Sequence, residues 1–253
     1  MSLHFRDEGE GAPIVLVHGL GASGRIFDPL FARRAGRRLI AIDLPRTGRS
    51  QRWADSTPEA IGEGLVRFLD TRDVGRFHLF GHSFGGLVAL HVAAAHAARI
   101  EGLTVASTPA LGLPPEAQLL LHSPMLDLAA PWLGRMPVWR PALRSYLQLI
   151  WGPRAELQPH HLDLYEEATR ADGFFDGMVE ALRAAGRFRP DFEVLARADF
   201  PRRVLWGAQD RLVSVAQGEQ LARALKAELT VLPDVGHCLT EEHPDAVFEA
   251  VHA

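Results

Sequence analysis

Three loops of this chain carry residue types that together can activate a hydroxyl group. The first is Gly81-His82-Ser83-Phe84-Gly85-Gly86, which follows the apolar run Phe77 to Phe80 and precedes an Ala-rich helical stretch. The second, Trp206-Gly207-Ala208-Gln209-Asp210, and the third, Asp234-Val235-Gly236-His237, each follow a run suited to a β-strand. A serine hydroxyl is a poor nucleophile at neutral pH. A neutral imidazole within hydrogen-bond reach can take its proton during attack. A carboxylate on the other ring nitrogen fixes the tautomer and stabilises the imidazolium. Ser83, His237 and Asp210 are therefore candidate nucleophile, base and acid. Forming an acyl-enzyme on Ser83 passes through a tetrahedral oxyanion that two backbone amides must meet, and the candidates are Phe84, after the serine, and Leu20, in the loop after the Ile14 run.

The elements that must position these loops follow from the rest of the chain. His4 to Asp7 is a short, half-polar strand candidate. Ile14 to Val17, Arg38 to Ile42, Phe77 to Phe80 and Leu103 to Ala106 are short apolar runs of the kind found in strands buried on both faces. Helical stretches alternate with them, including one that Thr57 can cap with Pro58 at its first position. The alternation stops near Pro109. From there to Ala198 no strand is expected, and short helical segments lie between many prolines, with Trp132, Trp139, Trp151, Phe174 and Phe175 among them. Such apolar content is wrong for a linker and suits an inserted helical lid. Alternation resumes with Arg203 to Trp206, Ala216 to Leu225, Leu229 to Leu232 and Pro244 to Val251. The expected fold is α/β. A mostly parallel, doubly wound sheet of seven or eight strands, with helices on both faces, is formed by residues 1–108 and 199–253. Residues 109–198 form the lid. In such a sheet the carboxyl ends of the strands share one rim, where ligand sites form, and Ser83, Asp210 and His237 all fall on it.

Composition narrows the function. The 253 residues carry a net charge of −4 without a long basic run, which argues against nucleic acid as a partner. One cysteine, Cys238, excludes an internal disulfide. No signal peptide is expected from Met1 to Asp7, and Gly86 to Ala98, interrupted by His91 and His96, is too short to span a bilayer. A cytoplasmic protein without membrane insertion is expected. The twelve histidines show no metal-ligand spacing; neither a metal nor a cofactor is expected. His18 and His82 are read as structural hydrogen-bonding groups, Cys238 as a small buried hydrophobe, and Glu242 as support for the His237 loop.

The chain resembles the α/β-hydrolase fold superfamily, of the kind with a helical lid. The resemblance rests on His18-Gly19, Asp43-Leu44-Pro45 with Gly48 and Ser50, the Ser83 motif, Trp206-Gly207 with Asp210 and Val213, and Gly236-His237 with Glu242 and Pro244. Arg46 departs from the pattern, standing where the family usually has glycine in a tight turn; the alternatives are an altered loop or a cation near the pocket mouth and, the preferred reading, a surface arginine. The N-terminal segment is too short for the family's first strand, which favours seven strands. A serine at position 83 argues against the members that use an aspartate nucleophile. The resemblance implies cleavage of an ester-type bond in a small to medium hydrophobic substrate, with water as second substrate. Hydrolysis of a carbon–carbon bond or a lactone is the alternative; His82 stands where carbon–carbon hydrolases often have asparagine. A ligand-binding or non-hydrolytic member with an idle triad is a third reading. Trp132, Trp139, Phe174 and Phe175 are the candidate substrate-binding residues.

Overall fold

Ile14 and Leu16 pack on one face of the sheet and Val15 and Val17 on the other, so the continuous apolar run of this strand is matched by burial on both sides. The computed structural model describes residues 3–33, 36–133, 139–153 and 155–252. Seven strands form one sheet: β1 (Phe5–Glu8), β2 (Pro13–Val17), β3 (Arg38–Ile42), β4 (Phe77–His82), β5 (Ile100–Ala106), β6 (Arg202–Gly207) and β7 (Glu228–Leu232). Their order is β1-β3-β2-β4-β5-β6-β7. Only β1 runs antiparallel to its neighbour; the register of β2 on β4 pairs Ile14 with His78 and Val17 with Gly81. The order reverses between β2 and β4, which opens a crevice at their carboxyl ends.

Helices α1 (Asp28–Arg33), α2 (Pro58–Asp70) and α3 (Phe84–Ala95) belong to the first half of the sheet. Thr57 caps α2 as expected, its side chain accepting from the Ala60 amide at 3.2 Å, with Pro58 in the first turn. The second half contributes α10 (Val215–Leu225), the short α11 (Leu239–Glu242) and α12 (Pro244–His252). One apolar cluster joins the sheet to α2, α3 and α10; the other joins it to α1 and α12. Burying each large aliphatic side chain here contributes about 1.5–3 kcal/mol. Leu16, fully buried in β2, would cost about 2–5 kcal/mol if cut to alanine.

Between β5 and β6 the chain forms α4 (Pro115–Leu121), α5 (Pro124–Leu133), α6 (Trp139–Ile150), α7 (Pro159–Ala168), α8 (Phe174–Arg187) and α9 (Phe192–Arg197). No strand occurs there among the described residues. No helix among them is long and apolar enough to cross a membrane.

Two expectations are corrected. The helix after β4 ends at Ala95 rather than Ala98, followed by a 3₁₀ turn over Ala97–Arg99. His96 leaves helical geometry there, and its ring bonds to Glu63 Oε1 at 2.9 Å, an oxygen it shares with His91. Arg46 is not on the surface. It is 2% exposed, with φ of 61°. The turn that glycine would make freely is kept, and the αL backbone sends the long side chain beneath α8, where the absence of a Cβ at Gly177 leaves room for Arg46 Cδ.

Candidate active site

Ser83 is the junction of β4 and α3, with φ 52° and ψ −119°, a strained backbone for a residue with a side chain. The flanking glycines make the turn possible. A Cβ on Gly81 would lie 2.6 Å from Gly86 Cα, and one on Gly85 would run into the Val17 carbonyl. The Ser83 amide donates to Ala106 O at 2.8 Å, tying the turn to β5. Its hydroxyl is 3.1 Å from His237 Nε2, and His237 Nδ1 is 2.8 Å from Asp210 Oδ2. An ionised carboxylate only accepts, so Nδ1 carries the proton and Nε2 turns its lone pair to the serine.

Asp210 is held in turn. Its other oxygen, Oδ1, accepts from the Leu212 and Val213 amides, each at 2.9 Å. Burial opposes its ionisation, but the His237 ring and the Val213 amide keep its carboxyl below the usual carboxylate range. A Cβ on Gly207, three residues earlier, would run into the Gly236 carbonyl, so the Asp210 and His237 loops touch backbone to backbone.

Glu242 fastens the His237 loop from below. Its Oε2 accepts from the Gly236 amide at 2.9 Å and the Gly152 amide at 2.8 Å, and Oε1 accepts from Cys238 N at 3.1 Å. The His237 amide itself donates to Ile150 O at 2.8 Å. One carboxylate and one carbonyl thus join both sides of the candidate base to the end of α6. The supporting role read for Glu242 agrees with these contacts. Next to it, Glu241 accepts from the Tyr165 hydroxyl at 2.6 Å, and burial pushes its carboxyl up to about 8. Burial also pushes the Cys238 thiol well up, in keeping with a buried, unreactive side chain.

The two other histidines of the motifs are structural. His18 Nε2 accepts from the Leu44 amide at 2.9 Å, so its Nδ1–H donates to Gly19 O at 2.7 Å, and burial lowers its pKa. It pins the loop of Leu20 to the loop after β3. His82 donates Nε2–H to the His237 carbonyl at 2.8 Å; burial, then the neighbouring His237, lower its pKa to about 3. It is neutral at any working pH.

Phe84 is the first residue of α3, where an amide has no carbonyl of its own helix to reach. Leu20 follows β2, and Gly19 before it has no room for a Cβ, which would lie 2.9 Å from Ser83 Cβ. Both Leu20 and Phe84 line a cavity of about 540 Å³ that also contains Ser83 and His237. Leu212 and Val213 wall it from the sheet side. Trp139, Tyr146, Phe174, Met178 and Leu182 wall it from the helices. None of the described residues lining it is Arg, Lys, Asp or Glu.

Of the four candidate substrate-binding residues, Trp139 and Phe174 line this cavity and Trp132 and Phe175 do not. Trp132 is 60% exposed, because α5 buries Ala130 and Trp132 projects about 200° further round the helix. Phe175 is buried, but one position past Phe174 it turns to an edge-on contact with Trp139, 4.7 Å between centroids, in the cluster that includes Ala130. Tyr146, Met178 and Leu182 line the cavity without belonging to any of the sequence motifs. The spacing of Phe174, Met178, Leu182 and Ala185 along α8 was the available signal, since they recur at helical intervals and share one face. No group of three or more His, Cys, Asp or Glu side chains among the described residues could hold a metal ion.

Residues 14–250 match the model of the Alpha/beta hydrolase family, and the chain belongs to that family. Among its relatives is the dihydrolipoyllysine-residue acetyltransferase component of an acetoin cleaving system from Pseudomonas putida, 29% identical over 96% of this chain; the chain spans 63% of that relative's length. A 2-hydroxy-6-oxononadienedioate/2-hydroxy-6-oxononatrienedioate hydrolase of Pseudomonas putida is 29% identical over 97% of this chain and 88% of the relative. Among solved structures, the enol-lactonase from Burkholderia xenovorans superposes with a TM-score of 0.81 at 25% identity, covering 99% of this chain and 95% of that one.

Proposed function

We propose that this protein is a serine hydrolase that cleaves a carboxylic ester of a small to medium, uncharged, hydrophobic substrate. The observation that carries the reading is the unbroken relay of Ser83 Oγ, His237 and Asp210, at 3.1 and 2.8 Å, opening into an apolar cavity. Ser83 Oγ attacks the ester carbonyl carbon as His237 Nε2 takes its proton, and the oxyanion forms against the Leu20 and Phe84 amides. Collapse breaks the bond to the alcohol oxygen, which leaves with the proton from His237. Water then gives a proton to Nε2 and attacks the acyl carbon. The acid departs and the proton returns to Ser83. The helical segment 109–198 acts as the lid, supplying Trp139 and Phe174 to the substrate.

The relative that acts on a dienedioate cleaves a molecule with two carboxylates. The cavity here offers no cation among its described lining residues, and a buried carboxylate without a partner is costly. That absence favours a neutral ester over such a diacid. A lactone is an internal ester, and the same relay would open it.

The test is a fluorophosphonate probe and a series of p-nitrophenyl esters, run beside Ser83→Ala and a ring-cleavage dienedioate. Labelling at Ser83 with turnover of neutral esters is the expected result. Turnover of the dienedioate alone would replace the ester reading by carbon–carbon hydrolysis. No labelling and no turnover would leave a binding protein with an idle triad.

A further inference from the structure

One hydroxyl on the cavity wall is not used by the protein itself. The other polar side chains there are committed. Ser83 and His237 belong to the relay, and His82 donates to the His237 carbonyl. The Tyr165 hydroxyl donates to Glu241, with the Cys238 sulfur 3.5 Å away, and Thr169 Oγ1 donates to the Glu166 carbonyl at 2.7 Å. Trp139 Nε1 is buried and presents almost no surface to the cavity. The Tyr146 hydroxyl has no hydrogen-bond partner among the described residues. Tyr146 is 47% exposed and lines the cavity, so part of that surface is open to whatever binds there.

The same residue stands on the side of the cavity that holds the candidate base. Leu143, Tyr146 and Ile150 recur along α6 at helical intervals and share one face. Leu143 and Ile150 pack in one apolar cluster with Cys238, the neighbour of His237, and the Ile150 carbonyl accepts from the His237 amide. Phe174 and Met178 wall the cavity from α8 in a separate cluster. Burial, with smaller effects of Cys238 and Asp210, raises the Tyr146 hydroxyl above the usual tyrosine range. It therefore remains a donor at any working pH.

In the ester reaction, His237 gives its proton to the alcohol oxygen as that oxygen leaves. The alcohol part of the substrate thus lies on the His237 side, where Tyr146 is. We propose that Tyr146 is a specificity-determining residue whose hydroxyl donates to an uncharged oxygen, ether or carbonyl, on the alcohol part of the ester. A substrate that covers this hydroxyl with hydrocarbon leaves a polar group unpaired, and one with an acceptor there does not. A carboxylate would bring a charge that no described cavity residue balances. The assignment to the alcohol part rests on the ester-hydrolase reading; the hydrogen bond to a bound acceptor does not.

The experiment uses three esters of matched shape. 2-Methoxyethyl pentanoate differs from n-butyl pentanoate by one oxygen in the alcohol part, and n-butyl 3-methoxypropanoate differs from it by one oxygen in the acyl part. Values of kcat/KM are compared within each pair, in the unaltered protein and in Tyr146→Phe, which keeps the ring and loses the hydroxyl. Comparing the two proteins cancels the intrinsic reactivity of each ester. The preference for the methoxyethyl over the butyl ester should fall roughly 10-fold in Tyr146→Phe, with the acyl pair's ratio the same in both proteins. An equal methoxyethyl preference in both proteins, or an equal or larger loss in the acyl pair, would overturn the proposal. Binding of the same esters to Ser83→Ala, with and without Tyr146→Phe, is read by tryptophan fluorescence, since Trp139 lines the cavity. The methoxyethyl ester should bind more tightly than the butyl ester only where Tyr146 is present, and equal relative binding in both variants would overturn the hydrogen bond. This readout decides even where the unaltered protein turns over none of the esters, which is the result that would remove the hydrolase reading.

Discussion

The rim of the sheet and the helical segment between β5 and β6 face each other across one cavity, and they are built on different terms. On the rim, each functional atom is fixed by backbone. Ser83 hangs from β4 by a strained turn, Asp210 is held by two amides, and His237 by the hydrogen bond its amide donates to the Ile150 carbonyl. On the helices, the atoms facing the cavity are side chains whose positions depend on how one helix lies against another. Leu119, Leu120, Met125 and Leu128 on α4 and α5 are exposed, while Phe174 and Met178 on α8 reach the cavity. The proposed chemistry thus rests on atoms held by backbone, and the proposed choice of substrate on side chains held by helix packing.

The sharpest break in this comparison comes from the rim. Ser83→Ala or His237→Ala should lower kcat by roughly 10⁴–10⁶-fold with the fold intact, as read by ester turnover beside circular dichroism. Activity retained in His237→Ala would mean that another group is the base. Glu242→Gln comes next. It keeps the shape of the side chain but loses the charge that three amides share, so His237 shifts and kcat falls by about 10²-fold. A purely structural role would lower Tm and leave kcat alone. Substitutions on the helices should instead change selectivity. Phe174→Ala enlarges the cavity and should move the preferred acyl chain length, by roughly 10-fold in relative kcat/KM, without losing the chemistry.

Two smaller effects test the seam between the halves. Glu241 has its carboxyl raised from 4.5 to about 8 by burial. An acid raised in this way supports the fold fully below its unfolded value. That support is lost as the pH climbs from about 4.5 through about 8, by at most about 1.4 kcal/mol per pH unit. Urea unfolding of Glu241→Gln should show a flatter pH dependence over this window; an unchanged slope would mean that the carboxyl is not held neutral. Trp132→Ala, on the outer face of α5, should leave ester selectivity unchanged. A shift in chain-length preference there would bring α5 into the substrate site.

The same contrast explains what could be read from the residues alone. Ser83, Asp210, His237, Leu20 and Phe84 could be placed because loops at strand ends have few geometries. Gly81-x-Ser83-x-Gly85 describes its own turn, and a parallel ladder brings successive strand ends to one edge. Trp132 and Phe175 lie off the cavity, because an aromatic side chain in a helix says that a face is apolar and not which neighbour covers it. Arg46 was misplaced for another reason. Its charge suggested solvent, whereas the turn's positive φ aims the side chain inward. The seam through Ile150, Gly152 and Glu242 had only half a signal, since Glu242 stood in the sequence pattern and its partners 90 residues earlier did not.

That seam bears on how the molecule could be altered by exchange of parts. Residues 109–198 look like a detachable cassette, yet the carbonyl that supports His237 and one of the amides on Glu242 belong to the cassette. A donor segment spliced in at its outer ends would bring its own substrate preference and remove those two supports. A chimera that retains Ile150–Gly152 from this chain and takes α8 from a donor would borrow the preference and keep the turnover.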